Sequence, residues 1–318
     1  MNGTDLFKWN RQYAPTGEET PVGNWIVSRL ARYGFAPKMD SLGNVLVNLG
    51  GKGKKILICV PYDQKGLLLT GRYSSGNFFV NLIGRWSADN LVGKSGITRG
   101  GKSAAIIQHI GAENYNSPYN LEVKIADSCI GIGDKIVFPA PEEEKRTDDS
   151  HLFSVSTLDN RAACYAVERF LANIKLEDLN AEVCVAFLAL DSCSFRGVMA
   201  PLKAICPDQA ISVNCKLDKE WHDASVIVNH VGNQYISDPT MVRNVNFAAK
   251  DQGLQTKHLF EYPISAGDVI NTADSLVQYG CQTISVSIPV KENGCNTGYV
   301  SENCIDGMAR LLISMVTK

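Results

Sequence analysis

Two short apolar runs in this sequence stop abruptly on side chains that can do chemistry. VCVAFLAL (183 to 190) ends in Asp191, Ser192 and Cys193, and ILICV (56 to 60) ends in Pro61, Tyr62, Asp63 and Gln64. The pattern recurs where VSTL (155 to 158) gives way to Asp159, Asn160 and Arg161, and where Ile211 to Val213 gives way to Asn214 and Cys215; Asp268 stands in a further polar segment, SAGD. Carboxylates gathered at one sheet edge repel one another unless a cation or a proton sits among them. Such a set therefore predicts a bound divalent metal or carboxyl groups of raised pKa. Taken singly, each of these aspartates has a plainer reading, as the start of a turn or the cap of a helix.

The elements that would position them follow from periodicity. A continuous apolar run with β-branched and aromatic members, too short for a bilayer, is a strand buried on both faces, and ligands of open α/β sheets bind beyond the carboxyl ends of such strands. Thr16 to Glu19 reads as a capping box before an amphipathic helix carrying Val22, Trp25, Ile26, Leu30 and Tyr33. Val45, Val47 and Leu49 alternate with polar residues, and with GGKG (50 to 53) and the run 56 to 60 they predict a hairpin whose second strand is central. From 66 to 150 short alternating segments are punctuated by glycine with no helical period, which predicts a small all-β domain, closed or sandwiched, ending in the charged linker EEEKRTDDS. Strand and helix alternation then resumes: helices over 161–174, 197–206, 239–252 and 301–316, and strands over 183–190, 210–213 and 283–288. The α/β domain is thus expected from residues 1–65 plus 151–318, with 66–150 inserted.

The totals narrow the classes of function. The 318 residues carry 31 basic and 33 acidic side chains, a net charge of −2 with no basic run, so there is no electrostatic footprint for nucleic acid. No apolar stretch has the length of a bilayer span or of a signal-peptide core, which predicts no membrane contact and a cytoplasmic location. Ten cysteines without a CxxC pair read as buried reduced thiols. Histidine is scarce, at 109, 151, 222, 230 and 258 only.

In order along the chain, YAPTGEET, DSLGNVLVNLGGKG, VPYDQKG, GLLLTGRY, LIGRWSADNLVGKSG, IADSCIGIGDKIVF, STLDNRAA, LALDSCSFRG and SVSIPV resemble segments of the tetrahedral and glutamyl aminopeptidases. These are dinuclear-metal cytosolic enzymes once described as cellulases. The resemblance covers nearly the whole chain. It implies a three-layer α/β domain of the zinc-exopeptidase (phosphorylase/hydrolase-like) kind with an inserted PDZ-like or barrel β domain that mediates dimerisation and assembly. It also implies removal of N-terminal residues from peptides by two divalent ions, zinc or cobalt, held by two His and three acidic side chains, with a neighbouring Glu as general base.

Matched residue by residue, this sequence departs from that ligand set. The first ligand His falls on Pro61, while Asp63, which orients that His in the family, remains. Asp159 matches the bridging metal ligand, followed by Asn160 and Arg161. The base falls on Asp191, one methylene shorter than Glu, and the adjacent ligand falls on Ser192. The next acidic ligand falls on Asn214. The last His falls around Gly294 and Cys295, and no histidine exists beyond His258. One carboxylate cannot hold two metals, since a zinc site takes about four ligands. The resemblance thus implies a family member with an eroded metal site, weak or inactive as a hydrolase, whose metal is absent or weakly bound. The alternatives are an active metallo-aminopeptidase using Cys193, Cys215, Cys295 or asparagine as ligands, and a non-catalytic subunit that binds peptide N-termini or assembles with other copies. Asp268 is expected in the same pocket.

Overall fold

The computed structural model describes residues 4–84, 91–108, 121–138, 146–147, 152–155, 160–192, 196–218, 225–232, 235–260, 272–277, 279–292 and 298–317. Asp159, Asp268, Gly294, Cys193 and Cys295 lie outside them. The chain begins with α1 (Thr4–Asn10), α2 (Thr20–Ala31), β1 (Lys38–Met39), β2 (Val45–Gly50) and β3 (Lys55–Pro61). Six strands follow: β4 (Gly66–Arg72), β5 (Phe78–Ile83), β6 (Ser95–Thr98), β7 (Ser103–Gln108), β8 (Leu121–Ile125) and β9 (Lys135–Val137). The remainder runs β10 (Arg146–Thr147), β11 (Leu152–Val155), α3 (Arg161–Asn173), β12 (Glu182–Leu188), α4 (Met199–Ile205), β13 (Gln209–Leu217), β14 (Ser225–Asn229), α5 (Pro239–Asp251), β15 (Gln255–Leu259), α6 (Thr272–Val277), β16 (Gln282–Glu292), β17 (Gly298–Ser301) and α7 (Glu302–Val316).

β4 to β9 close into an antiparallel barrel in the order β4-β5-β8-β7-β6-β9, around Leu67, Leu69, Phe78, Val80, Ile106, Val123 and Ile136. The other eleven strands form one mixed sheet, order β1-β2-β12-β3-β13-β16-β17-β11-β10, with β14 on β16 and β15 on β14. The two-residue β10 therefore belongs to the large sheet and not to the barrel. The barrel is tied to the segment before α2 by Tyr13 Oη, which donates to the Lys135 carbonyl at 3.1 Å, and by the Lys135–Glu18 ion pair at 3.2 Å.

β12, β3, β13 and β16 are mutually parallel in that order. β3 and β12 carry unbroken apolar runs because helices cover both faces, while β13 and β16 interleave buried Ser212, Thr283, Ser285 and Ser287 among their apolar residues. One face packs under α1, α2, α3, α5 and α7 with Val45, Ile58, Val185, Phe187, Phe170, Ile284 and Leu312 in one core; the other packs Leu57, Cys59, Ala186 and Leu188 against Leu202 of α4 and Leu276 of α6. The anticipated helices are present, and Asp238 caps α5 by accepting from the Thr240 and Met241 N–H groups.

Two expectations fail. β2 and β3 do not form a hairpin: β12 lies between them, antiparallel to β2 and parallel to β3. A continuous apolar strand has most to gain from a neighbour on each side, and β12 supplies that neighbour to both. The Thr16–Glu19 segment is not a capping box either. Glu19 occupies the N-cap of α2 without a side-chain cap bond, because its carboxylate and the Thr16 hydroxyl are used elsewhere.

Candidate active-site crevice

Register places the strand ends together. Pro61 pairs with Leu188, and Cys59 with Ser212, so Asn214, two residues beyond Ser212, is level with Pro61. Tyr62–Asp63 and Leu190–Ser192 thus leave the sheet at one edge, whereas Asn214 and Cys215, expected just past a strand end, lie inside β13, still paired with Ser287 and Ile288 of β16. Asn160 joins them as the N-cap of α3. Its Oδ1 accepts the Cys215 N–H at 2.9 Å, and its backbone is left-handed at φ 50°, a conformation that asparagine tolerates better than most residues. Of the residues singled out in the sequence, the structure brings Asp63, Asp191, Ser192, Asn160 and Asn214 to this part of the sheet.

Asp63 is the hub. It is 3% exposed, and its Oδ2 accepts both the Thr16 hydroxyl and the Ser192 N–H at 2.8 Å. Burial raises its pKa against the pull of these bonds and of the Arg161 charge. Asp191 Oδ1 accepts the Thr272 hydroxyl at 2.6 Å. Desolvation, and then repulsion from Asp63, push Asp191 up to about 7, with Thr272 and Lys65 opposing. Glu19 Oε1 accepts the Leu190 N–H at 3.0 Å, and burial raises its pKa. Thr16, Glu19 and Thr272 are the crevice residues that sequence reading missed. The first two were seen but assigned to a local cap, and nothing in the sequence around Thr272 links it to Asp191.

The substituted positions have local occupations. Pro61 is buried, and its carbonyl accepts the Cys164 thiol at 3.1 Å. Asn214 Nδ2 donates to Ser212 Oγ at 3.0 Å. Burial pushes the Cys215 thiol up to about 12, so it is a neutral thiol at physiological pH. Arg161 is fully buried; Nη2 donates to the Gln12 carbonyl at 3.2 Å, while Nε and Nη1 have no hydrogen-bond partner among the described residues. Asn44 braces the edge from below, accepting the Ala189 N–H at 3.0 Å and donating to the Gly197 carbonyl at 2.8 Å. Among the described residues no group of three or more His, Cys, Asp or Glu side chains is arranged to hold a metal ion. No described helix is long and apolar enough to cross a membrane.

The chain is similar to known peptidases. A putative aminopeptidase from Acetivibrio thermocellus is 23% identical over 235 residues, 67% of each chain. The aminopeptidase APDkam598 from the archaeon Desulfurococcus kamchatkensis superposes with a TM-score of 0.86 at 16% identity, covering 99% of this chain and 94% of that one. The TET1 peptidase of Pyrococcus horikoshii, which can assemble into a tetrahedron or a large octahedral shell, superposes at 0.82 with 18% identity over 99% of both chains. At such identities these two structural likenesses establish the fold, a mixed α/β sheet carrying a closed barrel. The family model described as M42 glutamyl aminopeptidase matches residues 121–311, more than half of the chain, and on that match the chain belongs to the M42 glutamyl aminopeptidase family.

Proposed function

We propose that this chain is an M42-family protein whose crevice does not grip a pair of divalent cations, that it is weak or inactive as a peptide hydrolase, and that it holds peptide N-termini. The donor set carries the reading. Where the family resemblance puts imidazole and carboxylate ligands, Pro61 offers no side-chain lone pair, Ser192 a neutral hydroxyl and Asn214 an amide already bonded to Ser212. Two-metal hydrolysis needs ions clamped on both sides of the scissile group. The side chains at these positions do not fit that pair of ions, and a fixed guanidinium close to Asp63 further opposes a cation there.

What remains suits an amine. Asp191 binds Thr272 through Oδ1, and no described residue donates to its second oxygen, which we assign to a ligand at the carboxyl ends of the parallel strands. A peptide α-ammonium paired with that carboxylate would satisfy a group otherwise desolvated. Asp63 holds the Ser192 peptide and hence the direction of the Asp191 side chain. The proposal extends to assembly as a homo-oligomer through the barrel formed by β4 to β9, as the assembled state of the TET1 peptidase suggests.

The experiment is calorimetric titration with short peptides carrying a free or an acetylated N-terminus, alongside assays of aminoacyl turnover with added cobalt. Binding that needs the free amine and is lost in Asp191→Asn, without turnover, supports the proposal. Cobalt-stimulated turnover abolished by Asp191→Asn would establish the active metallo-aminopeptidase instead.

A further inference from the structure

Asp191 is held from both sides by one short stretch of chain. On its amino side the Leu190 N–H donates to Glu19 Oε1 at 3.0 Å. On its carboxyl side the Ser192 N–H donates to Asp63 Oδ2, and the same oxygen accepts the Thr16 hydroxyl, each at 2.8 Å. Thr16 and Glu19 are the two ends of TGEE, a turn in which the Glu18 N–H donates to the Pro15 carbonyl at 2.8 Å. The turn is also laced to the chain beyond β3: the Gln64 N–H donates to the Ala14 carbonyl, and the Thr16 N–H to the Gln64 carbonyl.

The outer side of that turn is held by the barrel. Lys135, which pairs with Leu68 of β4, places its ammonium 3.2 Å from Glu18 Oε1, and the two side chains are only 15% and 26% exposed. Its carbonyl accepts the Tyr13 hydroxyl at 3.1 Å. Gly17, between Thr16 and Glu18, has a left-handed backbone at φ 88°, and a Cβ there would stand 3.2 Å from Lys135 Nζ. Glycine therefore both supplies the turn and lets the ammonium lie close against it. Fully exposed ion pairs contribute little because water screens them. This one is shielded, and the bond from Tyr13 to the same residue braces it.

We propose that Lys135 is a positioning residue for the crevice: it seats the Thr16–Glu19 turn and, through Thr16 and Glu19, the two peptide groups that flank Asp191. In its effect on affinity the role rests on the reading of Asp191 as the group that takes a peptide N-terminus. A carboxylate whose backbone is fixed beforehand binds an ammonium more tightly, because less ordering is left to be done on binding. The contacts from β9 to Asp191 are contiguous hydrogen bonds and one ion pair, and a double-mutant cycle measures whether they are coupled.

Amide hydrogen exchange in the full chain, without ligand, tests the link. Lys135→Met removes the charge and should speed exchange of the Leu190 and Ser192 amides about 10-fold, while Val185 in β12 and Val123 in β8 keep their wild-type rates. Glu18→Gln should do the same, and the double variant no more than either, since all three break one ion pair. Lys135→Arg keeps the charge and should restore most of the protection. In calorimetric titration Lys135→Met should weaken binding of free-amine peptides about 5-fold. Unchanged exchange at Leu190 and Ser192, exchange raised equally throughout the chain, or additive effects of the two substitutions would each overturn the proposal. Exchange is read without peptide, so a wild-type chain that binds no peptide contradicts the peptide-binding reading alone.

Discussion

The Ser192 N–H donates to Asp63 Oδ2 at 2.8 Å, so the peptide that follows Asp191 is anchored by the other aspartate of the crevice. β3 and β12 are held in register along seven residues, and this bond carries the pairing past the end of the sheet. It fixes where the chain leaves β12 and therefore where Asp191 points. Asp63, whose counterpart in the family orients a histidine, is used here to hold a backbone.

Removing that carboxylate is costly. Asp63→Ala would strand the Ser192 N–H, leave the Thr16 hydroxyl only its longer bond to the Gln64 carbonyl and leave the buried Arg161 charge without its neighbouring anion. A loss of about 3 kcal/mol is expected, measured by urea denaturation. Asp63→Asn, which keeps an acceptor, should lose less than half of that.

Asp191 makes stability depend on pH. Its carboxyl has an ordinary value of 3.8 and is raised to about 7 in the folded chain, so the folded state binds the proton more tightly. The stabilisation is complete below 3.8 and is lost as pH rises to 7. Asp191→Asn removes the dependence. Between pH 5 and pH 8 the variant should therefore gain roughly 2 kcal/mol on the wild type, levelling off above 7, as read from denaturation midpoints at each pH.

Asn44 and Gly197 brace the turn after β12. Asn44→Ala leaves the Ala189 N–H and the Gly197 carbonyl without partners, at a cost of about 2–4 kcal/mol. Gly197→Ala would place a Cβ 1.8 Å from the Ala189 carbonyl oxygen, so it should fail to fold or melt far below wild type in a thermal scan.

Asn160 accepts from Cys215 at a left-handed backbone position. Asn160→Ala loses the bond and adds strain, for about 2 kcal/mol, whereas Asn160→Gly should recover the strain but not the bond. Comparing the two midpoints separates the contributions.

Much of this crevice was legible because strand ends are legible. An apolar run that stops at a polar cluster marks both the strand and its tip, as for Asp63 and Asp191 after β3 and β12. The same reading ended a strand at Val213, but β13 runs on through Asn214 to Leu217 because β16 pairs with it along that length. The pairing order was not legible, since β-alternation in 45–49 and the apolar run 56–60 say nothing about a strand 120 residues later that inserts between them. Thr16 and Glu19 looked like a local cap because their partners, Asp63 and Leu190, are remote in sequence.

The most direct test is anomalous diffraction from crystals grown with cobalt, combined with assay of the same protein on aminoacyl substrates. No pair of cobalt peaks is expected in the crevice bounded by Asp63, Asp191 and Asn214, and turnover should be at or near background. Two peaks about 3.5–4 Å apart at that edge, in a protein that cleaves its substrate, would contradict the account.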